Sequence, residues 1–479
     1  MNSPLKSLPQ TSAPVAALRS VLPGEANVRV DAVLERAGEL ERDVEALERE
    51  VVAGCDWSHY GEKIAAFAVL DVVDQESLRE TARAKFPALA ALRARTLAEL
   101  PKASGARLGA RLDAAIEESA EALAPMDARA ESTSQEIEDI FPGKRTVHEL
   151  TSKDFQQLRN VRSLTLYNNK LNSIADPTVW KILAPELGMM RFLSLQANDL
   201  GPITDPAVWE MLAPEFGKAQ SLSLYQNSLG LITDPTVWKL LAPQLGKAQV
   251  LVLSDNNLNQ LDSAAWEMLA PQLGKVRSLD LSQNYLGATT NPAAWKMLAP
   301  ALATVPVLDL SRNNLSSITH PAVWEMLASR LGNARSLRLT NNHLYELAPA
   351  TWKILAPELG KVRSLNLFQN NLDELALTTW EILAPELGKV RSLNLSQDAL
   401  GSITNPAIWK VLAPQLGKVR SLNLYQANLC KLDPAVWKFL APALAKIPYL
   451  DLSENDLDQL DPSVWAPLSG RKKGPDFQY

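Results

Sequence analysis

Cys55 and His59, four residues apart in GCDWSHYGE, are the two side chains in this chain best spaced for covalent chemistry. On a helix they would share a face, and the imidazole could draw the proton from the thiol. A second combination, His148 followed by Glu149, lacks a further histidine at metal-ligand spacing. His320 sits at a helix-cap position and His343 in a strand-to-helix turn, and neither belongs to a recognisable triad. The sequence has no P-loop, GxGxxG, HExxH or GxSxG motif. Cys55 beside Trp57 therefore reads as a structural cysteine at a helix end. The sequence predicts no catalytic residue, no cofactor and no metal site.

The elements that carry these residues are better defined than any chemistry. The 479 residues are 46% hydrophobic and 21% charged, the balance of a folded protein with at least two structural units. A net charge of −6 does not mark a general nucleic-acid binder. Cys55 and Cys430 are the only cysteines, which excludes a disulfide framework and a CxxC metal pair. No apolar run approaches the roughly 18 residues that a membrane-spanning helix needs.

Tryptophan sets the organisation. Trp180, Trp209, Trp238, Trp266, Trp295, Trp324, Trp352, Trp380, Trp409, Trp437 and Trp465 follow one another at intervals of 28 or 29 residues. Each is preceded by L-x-L-x-x-N-x-L or a close variant, as in Leu279, Leu281, Asn284 and Leu286. That pattern resembles the leucine-rich repeat, and the period with its helical second half resembles the ribonuclease-inhibitor-like class. The resemblance spans about residues 145–468. It implies an α/β fold: a right-handed solenoid of about eleven repeats, with parallel strands inside and helices outside.

Each repeat reads as one physical unit. The leucines of L-x-L point into the solenoid and the residue between them points out. Asn169, Asn198, Asn227, Asn256, Asn284, Asn313, Asn342, Asn370 and Asn455 resemble the family's asparagine ladder. Asp398 and Ala427 interrupt it, so the ladder should weaken there. Asp176, Asp205, Asp234, Asp262, Asn291, Asn405, Asp433 and Asp461 are N-cap candidates, most followed by Pro. Trp409, Leu412 and Leu416 then form an inward stripe, which makes the tryptophans core residues. Pro414 lies deep in this helix and predicts a kink or a second short turn, closed by Gly417. Strands about 4.8 Å apart stacked with helices needing about 8–10 Å predict a curved array with the strands on the concave side.

Five segments follow. Residues 1–27 are rich in Ser and Pro, with no acid before Glu25. They read as a disordered tail or as an export signal, and they resemble the starts of bacterial type III-secreted effectors. Residues 28–141 predict a helical domain, with a three-heptad seam from Val30 to Val51. Residues 145–160 predict a capping half-repeat, 161–468 the solenoid and 469–479 a C-terminal tail. Residues 134–161, with Ile137, Ile140 and Phe141, also loosely resemble a degenerate F-box. That alternative implies a ubiquitin-ligase adaptor, and the solenoid fold by itself is shared with GTPase regulators.

Framework positions hold the fold, so recognition should lie where the repeats differ. One inner-face row ends in Asp280, Asp309, Arg338, Asn366, Asn394, Asn423 and Asp451. The row two residues on carries Tyr225, Phe368 and Tyr425 among short polar residues, and Arg312 lies beside it. Aromatics and arginine among small polar groups favour protein binding. The candidate partner-binding residues are Tyr225, Asp280, Asp309, Arg312, Arg338, Phe368 and Tyr425. The recurring LGKVRS phrase lines one rim with Lys218, Lys247, Lys275, Lys361, Lys389 and Lys418, and with arginines. Acids on the helices offset these charges, so nucleic acid is not the expected partner. The sequence predicts a non-enzymatic scaffold that binds a protein through its concave face; it favours a monomer without fixing the oligomeric state. Its resemblance to bacterial leucine-rich repeat effectors implies action in a host-cell cytoplasm, with the bacterial cytoplasm as the other location.

Overall fold

The computed structural model describes residues 140, 146–158, 161–289, 292–461, 464 and 468. The segment 1–27, the predicted helical domain except Ile140, Cys55 with His59, the cap candidate Asn291 and the tail 469–479 lie outside the described residues.

The described strands form one eleven-stranded parallel sheet in sequence order. They are β1 (Ser163–Thr165), β2 (Phe192–Ser194), β3 (Ser221–Ser223), β4 (Val250–Val252), β5 (Ser278–Asp280) and β6 (Val307–Asp309). After them come β7 (Ser336–Arg338), β8 (Ser364–Asn366), β9 (Ser392–Asn394), β10 (Ser421–Asn423) and β11 (Tyr449–Asp451). Unit n begins with strand βn. Leucine pairs with leucine across every junction, so the apolar side of the sheet faces the helices without interruption. Before β1, Val147, Phe155 and Leu158 are buried in the same core.

After each strand the chain turns through two non-glycine residues of positive φ, one on each side of the ladder position. Gln369 and Asn371, both at 55°, flank Asn370 in this way. Left-handed backbone is unfavourable for residues such as Tyr285 and Ala399, which adopt it here. The ladder holds it in place. Asn370 is fully buried, and its Nδ2 donates to the carbonyls of Leu339 (2.9 Å) and Leu367 (2.8 Å). Its Oδ1 accepts from the backbone N–H of Asn342 (3.0 Å) and Leu344 (3.3 Å). One side chain thus satisfies backbone groups of two neighbouring units. Asp398 keeps the accepting half, from Asn370 N (2.7 Å) and Leu372 N (3.3 Å), but its Oδ2 has no hydrogen-bond partner. Ala427 has no side-chain acceptor to offer, and the ladder resumes at Asn455, which accepts from Leu429 N at 3.0 Å.

The helices start as their sequences direct. Asp176 Oδ1 accepts from Thr178 N at 2.8 Å and Pro177 opens the first turn. His320 also caps, its Nδ1 accepting from Ala322 N at 3.3 Å, whereas Ala348 and Ala376 make no side-chain cap. The second short turn expected at Pro414 is corrected: Pro406–Leu416 is a single helix, and Gly417 ends it in right-handed backbone with φ −65°. Pro414 lies on the exposed side, and Lys410, whose carbonyl loses its intrahelical donor, is exposed as well. The use of Gly417 is space, because a Cβ there would sit 3.1 Å from the Ala443 carbonyl of the next unit.

Nine of the repeat tryptophans, including Trp180, Trp324 and Trp437, are fully buried, as the inward stripe predicts. Unit length decides whether their indole N–H is satisfied. In five 29-residue units the residue six before Trp is Ile, and its carbonyl accepts from Nε1, as in Trp180 to Ile174 (3.2 Å), Trp238 to Ile232 (3.1 Å) and Trp324 to Ile318 (2.9 Å); unit 5 has Thr289 there instead. In 28-residue units the loop is one residue shorter and Leu stands at minus five. The indole nitrogens of Trp266, Trp352, Trp380 and Trp437 are buried there without a partner.

Candidate functional site

The last residue of each strand and the residue two beyond it line the strand face. Register places Asp280 beside Asp309, and Asp309 beside Arg338. Asp309 Oδ2 lies 3.6 Å from Arg338 Nη1. Phe368 follows two residues after Asn366, the register partner of Arg338. The structure therefore gathers Asp280, Asp309, Arg338 and Phe368 on four successive units. Arg312 stands exposed in the turn of unit 6, with φ 54°. Tyr225 in unit 3 and Tyr425 in unit 10, both half-buried, lie outside this group, each two units from its nearest member.

The row also has a local role that sequence reasoning missed. Oδ1 of Asp280 accepts from its own Ser282 N at 2.8 Å, and Oδ1 of Asp309 from Ser311 N at 2.8 Å. Asn366, Asn394, Asn423 and Asp451 do the same toward the N–H two residues on, at 3.0, 2.9, 2.8 and 2.9 Å. The signal was present: Asp or Asn occurs at this strand end in six of the last seven units, and short carboxylates and amides favour such local bonds. Burial pushes the Asp280 carboxyl above its ordinary value, the charge of Asp309 pushes it further, and hydrogen bonds from Ser282 and Ser254 pull it back.

On the rim before the strands, the lysines fold back onto the preceding helix. Lys361 reaches Glu358 and Lys389 reaches Glu386, each at 2.7 Å, and Lys418 reaches Gln415 at 2.7 Å. Such exposed pairs contribute little stability. Arg335, Arg363, Arg391 and Arg420 occupy the position just before β7, β8, β9 and β10, and backbone hydrogen bonds join each to the next. Among the described residues no group of three His, Cys, Asp or Glu side chains is placed to hold a metal ion. No described helix is long and apolar enough to cross a membrane.

No family model matches the sequence, and no curated protein matches it. Among solved structures it is similar to the leucine-rich repeat-containing protein LegL7 from Legionella pneumophila. That match has 20% identity and a TM-score of 0.47, covering 69% of this chain and 98% of that one. The yeast Rad7–Elc1 complex is a more distant match, at 15% identity and a TM-score of 0.32, covering 73% of this chain and 94% of the matched one. Neither likeness is close enough to transfer a function. The assignment rests on the eleven in-register strands, the buried asparagine ladder and the helix that closes each unit: the chain is a leucine-rich repeat protein with an open α/β solenoid.

Proposed function

We propose that this chain is a non-enzymatic scaffold that recognises a protein partner through the strand face of units 5 to 8. The observation that carries this reading is the contiguous Asp280–Asp309–Arg338 row, with Phe368 beside it, on a face that is otherwise polar and mostly uncharged. Charges that break uniformity fix register and exclude wrong partners, and an adjacent aromatic supplies contact area. The Ser- and Pro-rich, acid-free start supports the finer reading of a bacterial effector whose partner is a host protein.

The test is affinity capture from eukaryotic and bacterial lysates with the full chain and with a variant carrying Asp309→Ala, Arg338→Ala and Phe368→Ala. A partner lost by the variant supports recognition by the strand face. An identical set of partners on both proteins removes that face from the reading. Specific capture from bacterial lysate alone removes the host role and leaves the scaffold.

A further inference from the structure

The strand face changes character between β6 and β7. Asp280 and Asp309 make β5 and β6 acidic, whereas the same row continues as Arg338, Asn366, Asn394 and Asn423. The orientation of the three asparagines is fixed. Each Oδ1 faces a backbone N–H two residues on, so each Nδ2 must point away from the backbone that its oxygen caps. None of the three amide nitrogens has a hydrogen-bond partner among the described residues. The result is one cation and three N–H donors in successive register, about one strand spacing of 4.8 Å apart. A carboxylate has two acceptor oxygens and no donor, so it can bridge two neighbouring groups of this kind.

A second, independent feature lies beside this row. Units 1 to 6 place Arg162, Arg191, Gln220, Gln249, Arg277 and Pro306 at the rim position. Units 7 to 10 place arginine there four times running: Arg335, Arg363, Arg391 and Arg420. Of the acids of these units, Glu346, Asp373 and Glu374 follow the strands in the turns, beyond the uncharged chain Gln369–Gln397–Gln426, whose amides bond at 2.6 Å, while Glu358 and Glu386 pair with Lys361 and Lys389 and Asp398 is buried in the ladder. Phe368 and Tyr425 bracket the donor row as apolar contacts.

We propose that units 7 to 10 hold an acidic, extended segment of the protein partner. Its carboxylates accept from Arg338 and the amides of Asn366, Asn394 and Asn423, alongside the arginine rim. The proposal rests on the strand-face reading above and gives the partner a polarity: acidic residues over units 7 to 10, with a basic residue toward Asp280 and Asp309.

Nature supplies a gentle test variant, because Asp already occupies this strand-end position at Asp280, Asp309 and Asp451. Asn366→Asp, Asn394→Asp and Asn423→Asp together keep every Oδ1 acceptor and remove every amide donor. Binding to the full-length chain is followed by fluorescence anisotropy with a labelled 12-residue peptide of alternating Glu and Tyr. A Lys/Tyr peptide and a 12-nucleotide oligouridylate serve as comparison probes. The expected result is saturable binding of the Glu/Tyr peptide, preferred over both comparison probes and weakened at least tenfold in the triple Asp variant. Unchanged affinity in that variant overturns the inference, as does an oligouridylate that binds as well as the peptide. If lysate partners still depend on Asp309, Arg338 and Phe368 while the peptide result fails, the scaffold reading stands and only the acidic-segment inference falls.

Discussion

Trp238 donates its indole N–H to the carbonyl of Ile232 at 3.1 Å, while Trp266, one unit on, is equally buried with no acceptor for the same group. The one-residue difference between long and short units has an energetic meaning. The longer loop brings a backbone carbonyl over the indole; the shorter one leaves a buried donor unpaired, at a cost of about 1–3 kcal/mol. Trp238→Phe loses area and a hydrogen bond, whereas Trp266→Phe loses area and relieves an orphan. Urea denaturation should place Trp238→Phe about 1 kcal/mol or more below Trp266→Phe. Equal losses would mean that the bond in the long units contributes nothing.

Much of this architecture was legible in the sequence, because a solenoid writes its framework once per turn. Leu279, Leu281 and Trp295 recur at fixed spacing, and spacing alone gives strand, register and inward stripe. Pro414 misled because sequence shows a missing donor but not that Pro414 and Lys410 are both exposed on Pro406–Leu416. The site was half visible. Periodicity placed Asp309 next to Arg338, but the direction of the Asn366 amide depends on which backbone group its oxygen meets, and no spacing rule reports that.

Gly230 makes a different prediction about stacking. Its N–H reaches Asn256 O at 2.8 Å, as do the equivalent groups at Gly201, Gly287 and Gly401 toward their neighbours. Asn172, Asn259, Ser316 and Tyr345 occupy the same position in other units, and there the bond is 3.3 Å. A Cβ on Gly230 would lie 2.0 Å from the Asn257 carbonyl oxygen, a backbone atom that cannot swing aside. Gly230→Ala should therefore force the two turns apart and lower stability by about 1–3 kcal/mol, while Ser316→Ala, at the same position in unit 6, should change little. A Gly230→Ala protein with an unaltered denaturation midpoint would show that the close stacking is not required.

Asp398 predicts a pH dependence. In Asn370, the preceding ladder residue, the second side-chain atom is an amide nitrogen that donates to carbonyls, and Asp398 puts Oδ2 there instead. Burial pushes its carboxyl up to about 8, Asp373 adds to the rise, and the backbone N–H groups of Asn370 and Leu372 oppose it. Unfolded Asp titrates near 4, so folding takes up a proton between about pH 4 and 8. The stability Asp398 contributes is therefore full below about pH 4 and is lost as pH rises through 8. Asp398→Asn restores the donor at all pH values. At pH 9 the variant should be about 1–3 kcal/mol more stable than the parent, with the gap closing toward pH 5. Parallel stability profiles across that range would contradict this.

Asp280 ties stability to recognition. It is the register partner of Asp309, and like charges facing each other across strands destabilise by about 0.2–1 kcal/mol. Arg338 relieves Asp309 from the far side, at 3.6 Å, and leaves Asp280 beside a like charge. The carboxyl of Asp280 is raised, first by burial and then by Asp309, so the stability it contributes is full below its unfolded value near 4 and declines as pH rises above it. Asp280→Asn keeps the oxygen that accepts from Ser282 N and removes the repulsion. It should stabilise the unbound solenoid by roughly 0.5 kcal/mol at pH 7. If units 5 and 6 meet a basic group on the partner, the same variant should lower partner affinity severalfold. Denaturation midpoints and capture efficiency measured on one preparation decide it. A gain in stability with undiminished capture would assign Asp280 to the fold alone and move the centre of recognition toward Arg338 and Phe368.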